Sequence, residues 1–142
     1  MEEEIRIRAC LAVVRDGQIL LVPHYGTDAA PVQWTIPGCR GAFAEGLRAA
    51  ALREFEEETS LQAEITGLLD VSEVILPERL WHSITVTFSG YVTGGTLAPE
   101  AGHRHGRKMP RWFSATTIGG VPIHPERTVR KALDRGRDAS GG

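Results

Sequence analysis

Hydrophobic and polar residues alternate along the beginning of the chain. Apolar side chains occupy every odd position over residues 5–13, and this period of two predicts a β-strand. Asp16-Gly17 separates the run from a second apolar run at residues 18–22. An Asp-Gly pair between two such runs is typical of a β-hairpin, so we expect the first two strands to be antiparallel neighbours.

The rest of the chain divides into predicted strands, helices and loops. Residues 45–59 contain no proline and are rich in Ala, Leu, Arg and Glu, which are good helix formers, so we predict a helix there. Alternation over residues 84–92 predicts a strand. The other predicted elements are short strands at 34–36 and 111–113, a strand at 68–76 that ends at Pro77, a polar and basic loop at 98–110, and a helix at 125–135. This order predicts an α/β or α+β sandwich in which a mixed sheet packs between helices.

Composition and charge narrow the function classes. The 142 residues suit one domain, and 16 basic and 18 acidic side chains leave a net charge of −2, which argues against a protein that coats nucleic acid or an anionic membrane. Two cysteines, Cys10 and Cys39, cannot build a disulfide framework. The glutamates at residues 2–4 have the wrong sign for a secretory signal, and apolar runs such as residues 19–22 are too short to span a bilayer. We therefore expect a cytoplasmic protein that does not bind membranes.

Three glutamates define the most informative segment. Glu54, Glu57 and Glu58 stand at positions i, i+3 and i+4, so a helix places them on one face, here called the glutamate face. Like charges at this spacing cost about 0.2–0.5 kcal/mol per pair, and only Glu57 has a basic residue, Arg53, one turn away. A Mg²⁺ ion would compensate this charge because hard cations prefer carboxylate oxygens. The alternative is a solvated, acid-rich helix face.

The segment before this helix is consistent with a cation site. Residues 34–41 form a turn-rich stretch that can offer backbone carbonyls to a cation. Glu45 lies at the start of the predicted helix, where the helix dipole favours a carboxylate. Glu45 is therefore either a further cation ligand or a residue that stabilises the helix start.

This stretch resembles the signature of the Nudix hydrolases, whose box reads Gly-x5-Glu-x7-Arg-Glu-U-x-Glu-Glu-x-Gly-U, with U an apolar residue. The box covers residues 39–61, and every charged and apolar position fits, namely Glu45, Arg53, Glu54, Phe55, Glu57, Glu58 and Leu61. Cys39 and Ser60 replace the two glycines of the box. Because glycine suits a positive φ or a close backbone approach, we expect a shifted loop at Cys39 and strain at the helix exit.

The resemblance implies a fold and an activity. The fold is a Nudix-type α/β/α sandwich with a mixed central sheet, with a single domain over residues 1–136 and a flexible tail at residues 137–142. The implied activity is hydrolysis of the diphosphate in a nucleoside diphosphate linked to another group X. It requires Mg²⁺, for which Mn²⁺ can substitute.

The resemblance also assigns residues to roles. The glutamate face would hold the metal ion together with the Gly38 carbonyl, and Arg53 would orient the glutamates by pairing with Glu57 or Glu45. A carboxylate near the metal takes the proton of the attacking water. The candidates for this base are Glu54 first, Glu57 second, and Glu100 in a later loop third.

Residues for substrate binding come from two groups. The basic segment at residues 103–111 contains Arg104 and Arg107, whose guanidinium groups suit phosphate; an exposed loop that offsets the acidic helix is the alternative. Its His103 and His105 are weak evidence for a metal site. Aromatic candidates for stacking on a base, each of which can equally be a core residue, are Trp34, Tyr25, Trp81 and Phe113.

Two functional hypotheses follow from these residues. The first is a pyrophosphohydrolase of small nucleotides, with nucleotide sugars such as ADP-ribose as the leading substrate class and nucleoside triphosphates as the second. A nucleic-acid polymer is not expected as a substrate, and the family resemblance allows a homodimer. The second hypothesis, motivated by Cys39 and Ser60, is a nucleotide-binding sensor that keeps the fold but has weak or no turnover.

Overall fold

The computed structural model describes residues 3–24, 33–100 and 109–141, with side chains described up to residue 136. In these ranges no helix is long and apolar enough to cross a lipid bilayer. The strands are β1 (Arg6–Arg15), β2 (Gln18–His24), β3 (Gln33–Thr35), β4 (Gly38–Arg40), β5 (Leu61–Leu76), β6 (Trp81–Gly95), β7 (Arg111–Ser114) and β8 (Ile123–His124), and the α-helices are α1 (Leu47–Thr59) and α2 (Glu126–Gly141).

The described strands form one mixed sheet around β1. Its order is β5-β6-β1-β2-β3-β8, while β4 pairs with β1 and β7 pairs with β2. β1 is parallel to β6 and antiparallel to β2. Asp16 and Gly17, between β1 and β2, have φ of 53° and 75°, as a two-residue type I′ hairpin turn requires. The predicted hairpin and the mixed sheet are therefore confirmed.

Two apolar cores lie on opposite faces of β1, because successive side chains of a strand point to opposite faces of the sheet. One core contains Ala9, Leu11 and Val13 of β1 with Ala50, Ala51 and Phe55 of α1; the other contains Cys10 and Ala12 of β1 with Val129, Ala132 and Leu133 of α2. A helix therefore covers each face of the sheet, as the predicted sandwich requires.

Several element boundaries differ from the sequence predictions, among them those of β5, α1 and α2. β5 begins at Leu61 rather than at residue 68, and residues 61–66 already alternate between apolar and polar side chains as a strand does. α1 begins at Leu47 rather than at residue 45, since Gly46 has an extended conformation. α2 continues to Gly141 rather than ending at residue 135, and no proline follows Pro125 to stop it.

A buried carboxylate attaches α2 to β5. Asp70 follows a register shift in β5 and is 9% exposed. It accepts hydrogen bonds from Thr128 Oγ1 at 2.8 Å and from Arg127 Nη2 at 3.2 Å, and Lys131 Nζ lies 3.7 Å away. Burial acts to raise the pKa of Asp70, but the hydrogen bonds from Thr128 and Arg127 lower it overall. The carboxylate is therefore held in its charged form between two elements.

Candidate active site

Helix α1 is amphipathic, and its packing orients the charged side. Its buried residues are Ala50, Ala51, Phe55 and Thr59, which recur at the spacing of one helix face. Because these residues face the sheet, Arg53 and the glutamate face lie along the side of the helix. The Glu54 carboxylate is 13% exposed and that of Glu57 is 47% exposed. The glutamate face thus extends from the protein surface towards the loop that precedes the helix.

Arg53 is the centre of the charged network. Its Nε and Nη2 donate to Glu45 Oε2 and Oε1 at 2.8 and 2.9 Å. Its Nη1 donates to Glu54 Oε1 at 2.7 Å and to Glu57 Oε1 at 3.2 Å. These hydrogen bonds raise the pKa of Arg53 above its ordinary value. The structure therefore brings together the arginine and the glutamates that the sequence analysis predicted to interact.

Glu45 holds Arg53 in place. Besides the two bonds from Arg53, its Oε1 accepts a hydrogen bond from the Ala42 N–H at 3.1 Å. The Arg53 hydrogen bonds, followed by the Ala42 N–H, lower the pKa of Glu45 to about 2. Glu45 lies two residues before α1, outside the helix. Its carboxylate oxygens accept hydrogen bonds from Arg53 and from the loop, so these contacts favour a role in positioning Arg53 over a role as a cation ligand.

Gly38 joins the loop to the glutamate face. Its N–H donates to Glu58 Oε1 at 2.8 Å, and it lies opposite Cys10 in the pairing of β4 with β1. A Cβ on Gly38 would lie 2.3 Å from the Ala9 carbonyl oxygen and 2.6 Å from Cys10 Sγ. Only glycine permits this close approach, so Gly38 fixes Glu58 beside the central strand.

The first departure from the box, Cys39, does not strain the loop. In the part of the chain that the structure describes, four non-glycine residues have positive φ, and Cys39 is not among them. It pairs with Ala9 as an ordinary strand residue of β4. Its Sγ lies 3.1 Å from the Arg40 carbonyl oxygen. The backbone at Cys39 is therefore not strained, and the close approach to β1 occurs at Gly38.

The Cys39 thiol nevertheless borders the glutamate face. Burial, followed by a hydrogen bond to Glu54, raises the pKa of Cys39 to about 12. The residue is half-buried and has a free thiol. Because the thiolate is the reactive form of cysteine, this thiol is poorly reactive at neutral pH despite its partial exposure.

The second departure, Ser60, does carry the expected strain. Ser60 ends α1 in the left-handed conformation, with φ 64° and ψ 17°. Its backbone N–H donates to the Glu56 carbonyl at 2.8 Å. Non-glycine residues adopt this conformation at a cost of roughly 1–2 kcal/mol, so the replacement of glycine at this position destabilises the helix exit.

The side chains of the glutamate face suit a hard divalent cation. Glu54 and Glu57 converge on the same Arg53 nitrogen, and Glu58 follows directly on the helix. Carboxylate oxygens are the ligands that Mg²⁺ prefers. Over residues 3–24, 33–100 and 109–136, the His, Cys, Asp and Glu side chains form no group of three already arranged around one point. Here Arg53 supplies the positive charge between two of the glutamates.

A cleft of about 220 Å³ reaches Cys10, the residue on which Gly38 packs. It is lined by side chains of β1, β2, β3, β5, β6 and β8, among them Arg8, Cys10, Gln33, Trp81, Ser83 and His124. Burial, followed by the charge of Arg8, lowers the pKa of His124. Larger hollows lie beside Ile75 and beside Arg127; like the cleft, neither is lined by residues of α1.

Cys10 connects the cleft to the glutamate face. Burial raises the pKa of Cys10 to about 12, Arg8 opposes this, and the charges of Glu58 and Glu54 add to it. The thiol is therefore within electrostatic range of both the cleft arginine and the helix glutamates. Gly38 packs on Cys10 and donates its N–H to Glu58, so this residue lies between the cleft and the glutamate face.

The predicted substrate-binding residues have mixed outcomes. Trp34 is 9% exposed and packs edge-on against Phe113, with ring centroids 4.9 Å apart, so the structure favours the core alternative for both. Trp81 lines the cleft. Glu100 follows β6, and no described hydrogen bond or ion pair joins it to α1. The predictions for Tyr25, His103, Arg104, His105 and Arg107 lie outside the described residues.

The sequence analysis overlooked the polar lining of the cleft, which includes Arg8, Gln33, Ser83 and His124. One signal was available for Arg8. It shares one face of the strand with Cys10 and Ala12, which are also at even positions and are apolar, and an arginine on such a face is unusual. The other three residues carry no such signal, because they come together only through the pairing of β3 with β8 and of β1 with β6.

Comparisons with known proteins agree on one family. A family model described as "NUDIX domain" matches residues 5–133. A MutT NUDIX hydrolase from Burkholderia pseudomallei has a similar structure, with a TM-score of 0.72 and 26% identity over 93% of this chain and 98% of that one.

Two further solved structures are similar in fold. A NUDIX hydrolase from Nitrosomonas europaea has a TM-score of 0.76 and 19% identity over 96% of this chain and 90% of its own. An ADP-ribose pyrophosphatase from Streptococcus suis has a TM-score of 0.67 and 17% identity over 93% of this chain and 92% of its own. No curated protein sequence shows significant similarity to the chain.

Proposed function

Because the chain belongs to the Nudix domain family and is a pyrophosphohydrolase, we propose that its glutamate face binds Mg²⁺ and that it hydrolyses the diphosphate linkage of a small nucleotide. The observation that carries this proposal is the convergence of Glu54 and Glu57 on one nitrogen of Arg53. Two carboxylates that already share one positive partner are arranged to share a metal ion, and Mn²⁺ can replace Mg²⁺ with the same oxygen ligands.

The residues that would hold the metal ion are Glu54, Glu57 and Glu58, with the Gly38 carbonyl as a further ligand. When bound, the ion neutralises phosphate oxygens and lowers the pKa of a coordinated water. Arg53 keeps its two hydrogen bonds to Glu45. Its guanidinium group therefore stays in position when Glu54 and Glu57 leave Nη1 to bind the metal ion. Its role is to orient the carboxylates.

Glu54 is the proposed base. Its carboxylate is the less exposed of the two that contact Arg53, and it lies beside the Cys39 thiol. It accepts the proton of the water that attacks phosphorus, while the new P–O bond forms and the bridging P–O bond breaks. Glu57 and Glu100 remain the second and third candidates for this step.

The proposed substrates are nucleotide sugars and nucleoside triphosphates. Both carry a diphosphate next to a nucleoside, and the cleft beside Gly38 offers space for the nucleoside while the diphosphate reaches the glutamate face. One structural neighbour is an ADP-ribose pyrophosphatase and another is a UDP-X diphosphatase, which supports the nucleotide-sugar class. The cytoplasmic location, the single domain at residues 1–136 with a flexible tail, and the homodimer stay predictions.

Glu57→Gln and Glu58→Gln test the metal site. Loss of an outer partner of a metal ligand costs about 10–100-fold, so loss of a ligand should lower kcat by more than 100-fold. We expect this loss, with unchanged thermal unfolding, in an assay of product release from ADP-ribose, UDP-glucose and the nucleoside triphosphates with Mg²⁺. Addition of EDTA should abolish the wild-type activity.

Glu56→Gln is the matched control, because Glu56 lies on the same helix and is exposed. It should retain wild-type activity. If Glu57→Gln and Glu58→Gln both kept wild-type rates, the glutamate face would not be the metal site. If the wild-type protein bound nucleotides but hydrolysed none of the panel, the sensor hypothesis would replace the proposed reaction.

A further inference from the structure

Arg8 brings a positive charge to the cleft without a matching carboxylate. Its direct neighbour across the β1–β4 pairing is Arg40. Glu4 pairs with Arg40 at 3.4 Å and also with Arg6 at 3.3 Å, so one carboxylate already compensates two arginines. Over residues 3–24, 33–100 and 109–136, no carboxylate forms an ion pair with Arg8. A cation of this kind at the wall of a cleft is suited to a ligand that supplies acceptor atoms.

Besides Arg8 and two histidines, His24 and His124, the walls of the cleft are apolar or neutral. Ile36, Val74 and Trp81 contribute apolar surface, and Gln33 and Ser83 contribute neutral hydrogen-bonding groups. The volume of about 220 Å³ is smaller than the ~300–1,000 Å³ of sites that enclose a whole drug-sized ligand. A single aromatic base with a polar edge fits this volume and this chemistry, whereas a diphosphate would meet largely neutral walls.

The distance along β1 agrees with a base in the cleft and a diphosphate at the glutamate face. Arg8 stands two residues before Cys10 on the same side of the strand, which separates their Cα atoms by about 6.6 Å. Cys10 is the residue on which Gly38 packs beside Glu58. A nucleotide with its diphosphate at the glutamate face would therefore extend its nucleoside end along β1 towards Arg8.

We infer that Arg8 is a specificity-determining residue that reads the base of the substrate, by donating from its guanidinium group to two adjacent acceptor atoms. This inference rests on the proposed function, because it takes the cleft as the site of the nucleoside. Guanine presents O6 and N7, a pair that arginine recognises with two parallel hydrogen bonds, and cytosine presents O2 and N3. Adenine places an amino donor beside both N1 and N7, and uracil places an N–H between its two carbonyls.

The substrate class is thereby narrowed to guanine or cytosine nucleotides. Among the proposed nucleotide sugars and nucleoside triphosphates, we therefore expect those with guanine or cytosine to be better substrates than ADP-ribose. The assignment is independent of the group X, because Arg8 and the glutamate face contact opposite ends of the nucleotide.

Binding of the four nucleoside monophosphates without metal tests the inference. Calorimetry on the wild-type protein should show GMP or CMP binding about 10–100-fold more tightly than AMP and UMP, as expected for one bidentate arginine contact. In Arg8→Gln this preference should disappear, while AMP binding is unchanged. Arg40→Gln is the matched control, since Arg40 lies opposite Arg8 but is paired with Glu4 and does not line the cleft.

Each alternative outcome is decisive. An equal loss of affinity for all four monophosphates in Arg8→Gln would show that Arg8 binds the phosphate, and the inference would fall. A wild-type protein without base preference would also overturn it, whether or not the variant folds. If the protein hydrolysed all nucleoside triphosphates at the same rate, only this inference would be contradicted. If it bound guanine or cytosine nucleotides selectively but hydrolysed none, only the proposed function would be contradicted.

Discussion

At the scale of single residues, the fork of Arg53 is the feature on which the site depends. Three nitrogens of one guanidinium contact three carboxylates, and two of these nitrogens are fixed by Glu45 alone. A lysine has one nitrogen on a flexible stem and cannot reproduce this planar arrangement. The position of Glu54 and Glu57 therefore depends on the shape of Arg53 as well as on its charge.

Arg53→Lys should separate shape from charge. Because the positive charge is kept while the fork is lost, we expect kcat to fall by about 10–100-fold, as for other partners of metal ligands. The apparent affinity for Mg²⁺ should weaken, and the melting temperature should change little. Measurements of kcat against Mg²⁺ concentration check this, with Arg48→Lys on the same helix as the control. A fully active Arg53→Lys would show that charge alone is sufficient.

Ser60 is a second residue whose conformation has a measurable consequence. Ser60→Gly removes the strain of the left-handed conformation while keeping the backbone bond to Glu56. The entropy cost of glycine offsets part of the gain, so we expect about 0.5–1 kcal/mol of added stability. Thermal unfolding should then shift upward by roughly 2–4 °C.

Ser72→Gly is the control for this effect. Ser72 is an ordinary residue of β5, opposite Thr85, and glycine in a strand destabilises by about 0.5–1 kcal/mol. The two substitutions should therefore change the melting temperature in opposite directions. A decrease for both would mean that Ser60 is not strained at the end of α1.

At the scale of elements, the Asp70 contact joins the edge strand to the second helix. Its carboxylate is 9% exposed and accepts hydrogen bonds from Thr128 and Arg127. Loss of a partner for a buried polar group costs about 1–3 kcal/mol. We expect this cost for Asp70→Asn in chemical denaturation, whereas Glu126→Gln, which removes an exposed pair with Arg130, should cost less than ~1 kcal/mol.

The pH dependence of Asp70 provides a further check on the same contact. Its folded pKa is lowered from the ordinary value of 3.8, so the folded state favours the charged form. The stabilisation is therefore complete above pH 3.8 and is lost as the pH falls through the lowered value. The stability difference between the wild type and Asp70→Asn should shrink with acidification. A difference that grows towards low pH would contradict the assigned contacts.

At the scale of the whole molecule, local patterns predicted the longer elements and the glutamate face, but not the short strands β4 and β8 and not the cleft. The hairpin at Asp16-Gly17 follows from turn chemistry, and the glutamate face follows from helix spacing, because both are encoded within a few residues. The start of β5 is also encoded locally, in the alternation of residues 61–66, and the sequence prediction overlooked it. The cleft could not be predicted because it combines residues as far apart in sequence as Arg8 and His124.

The close approach at Gly38 illustrates the same limit. The sequence analysis considered Gly38 for its carbonyl and Cys39 for a missing glycine. The structure shows instead that the steric requirement lies at Gly38, against the Ala9 carbonyl of β1, while Cys39 is an ordinary strand residue. Which of two neighbouring positions must lack a side chain depends on the strand packed against them, and that strand is remote in sequence.

The alternation of β1 has a consequence for how this protein can change. Even-numbered residues of the strand supply the cleft with Arg8 and Cys10, and odd-numbered ones supply Ala9 and Leu11 to the core beneath α1. Insertion or deletion of one residue would exchange the two sets, placing a guanidinium under a helix and a methyl group at the wall of the cleft. The lining of the cleft can therefore change by substitution at even positions, whereas the length of this strand is fixed by the fold.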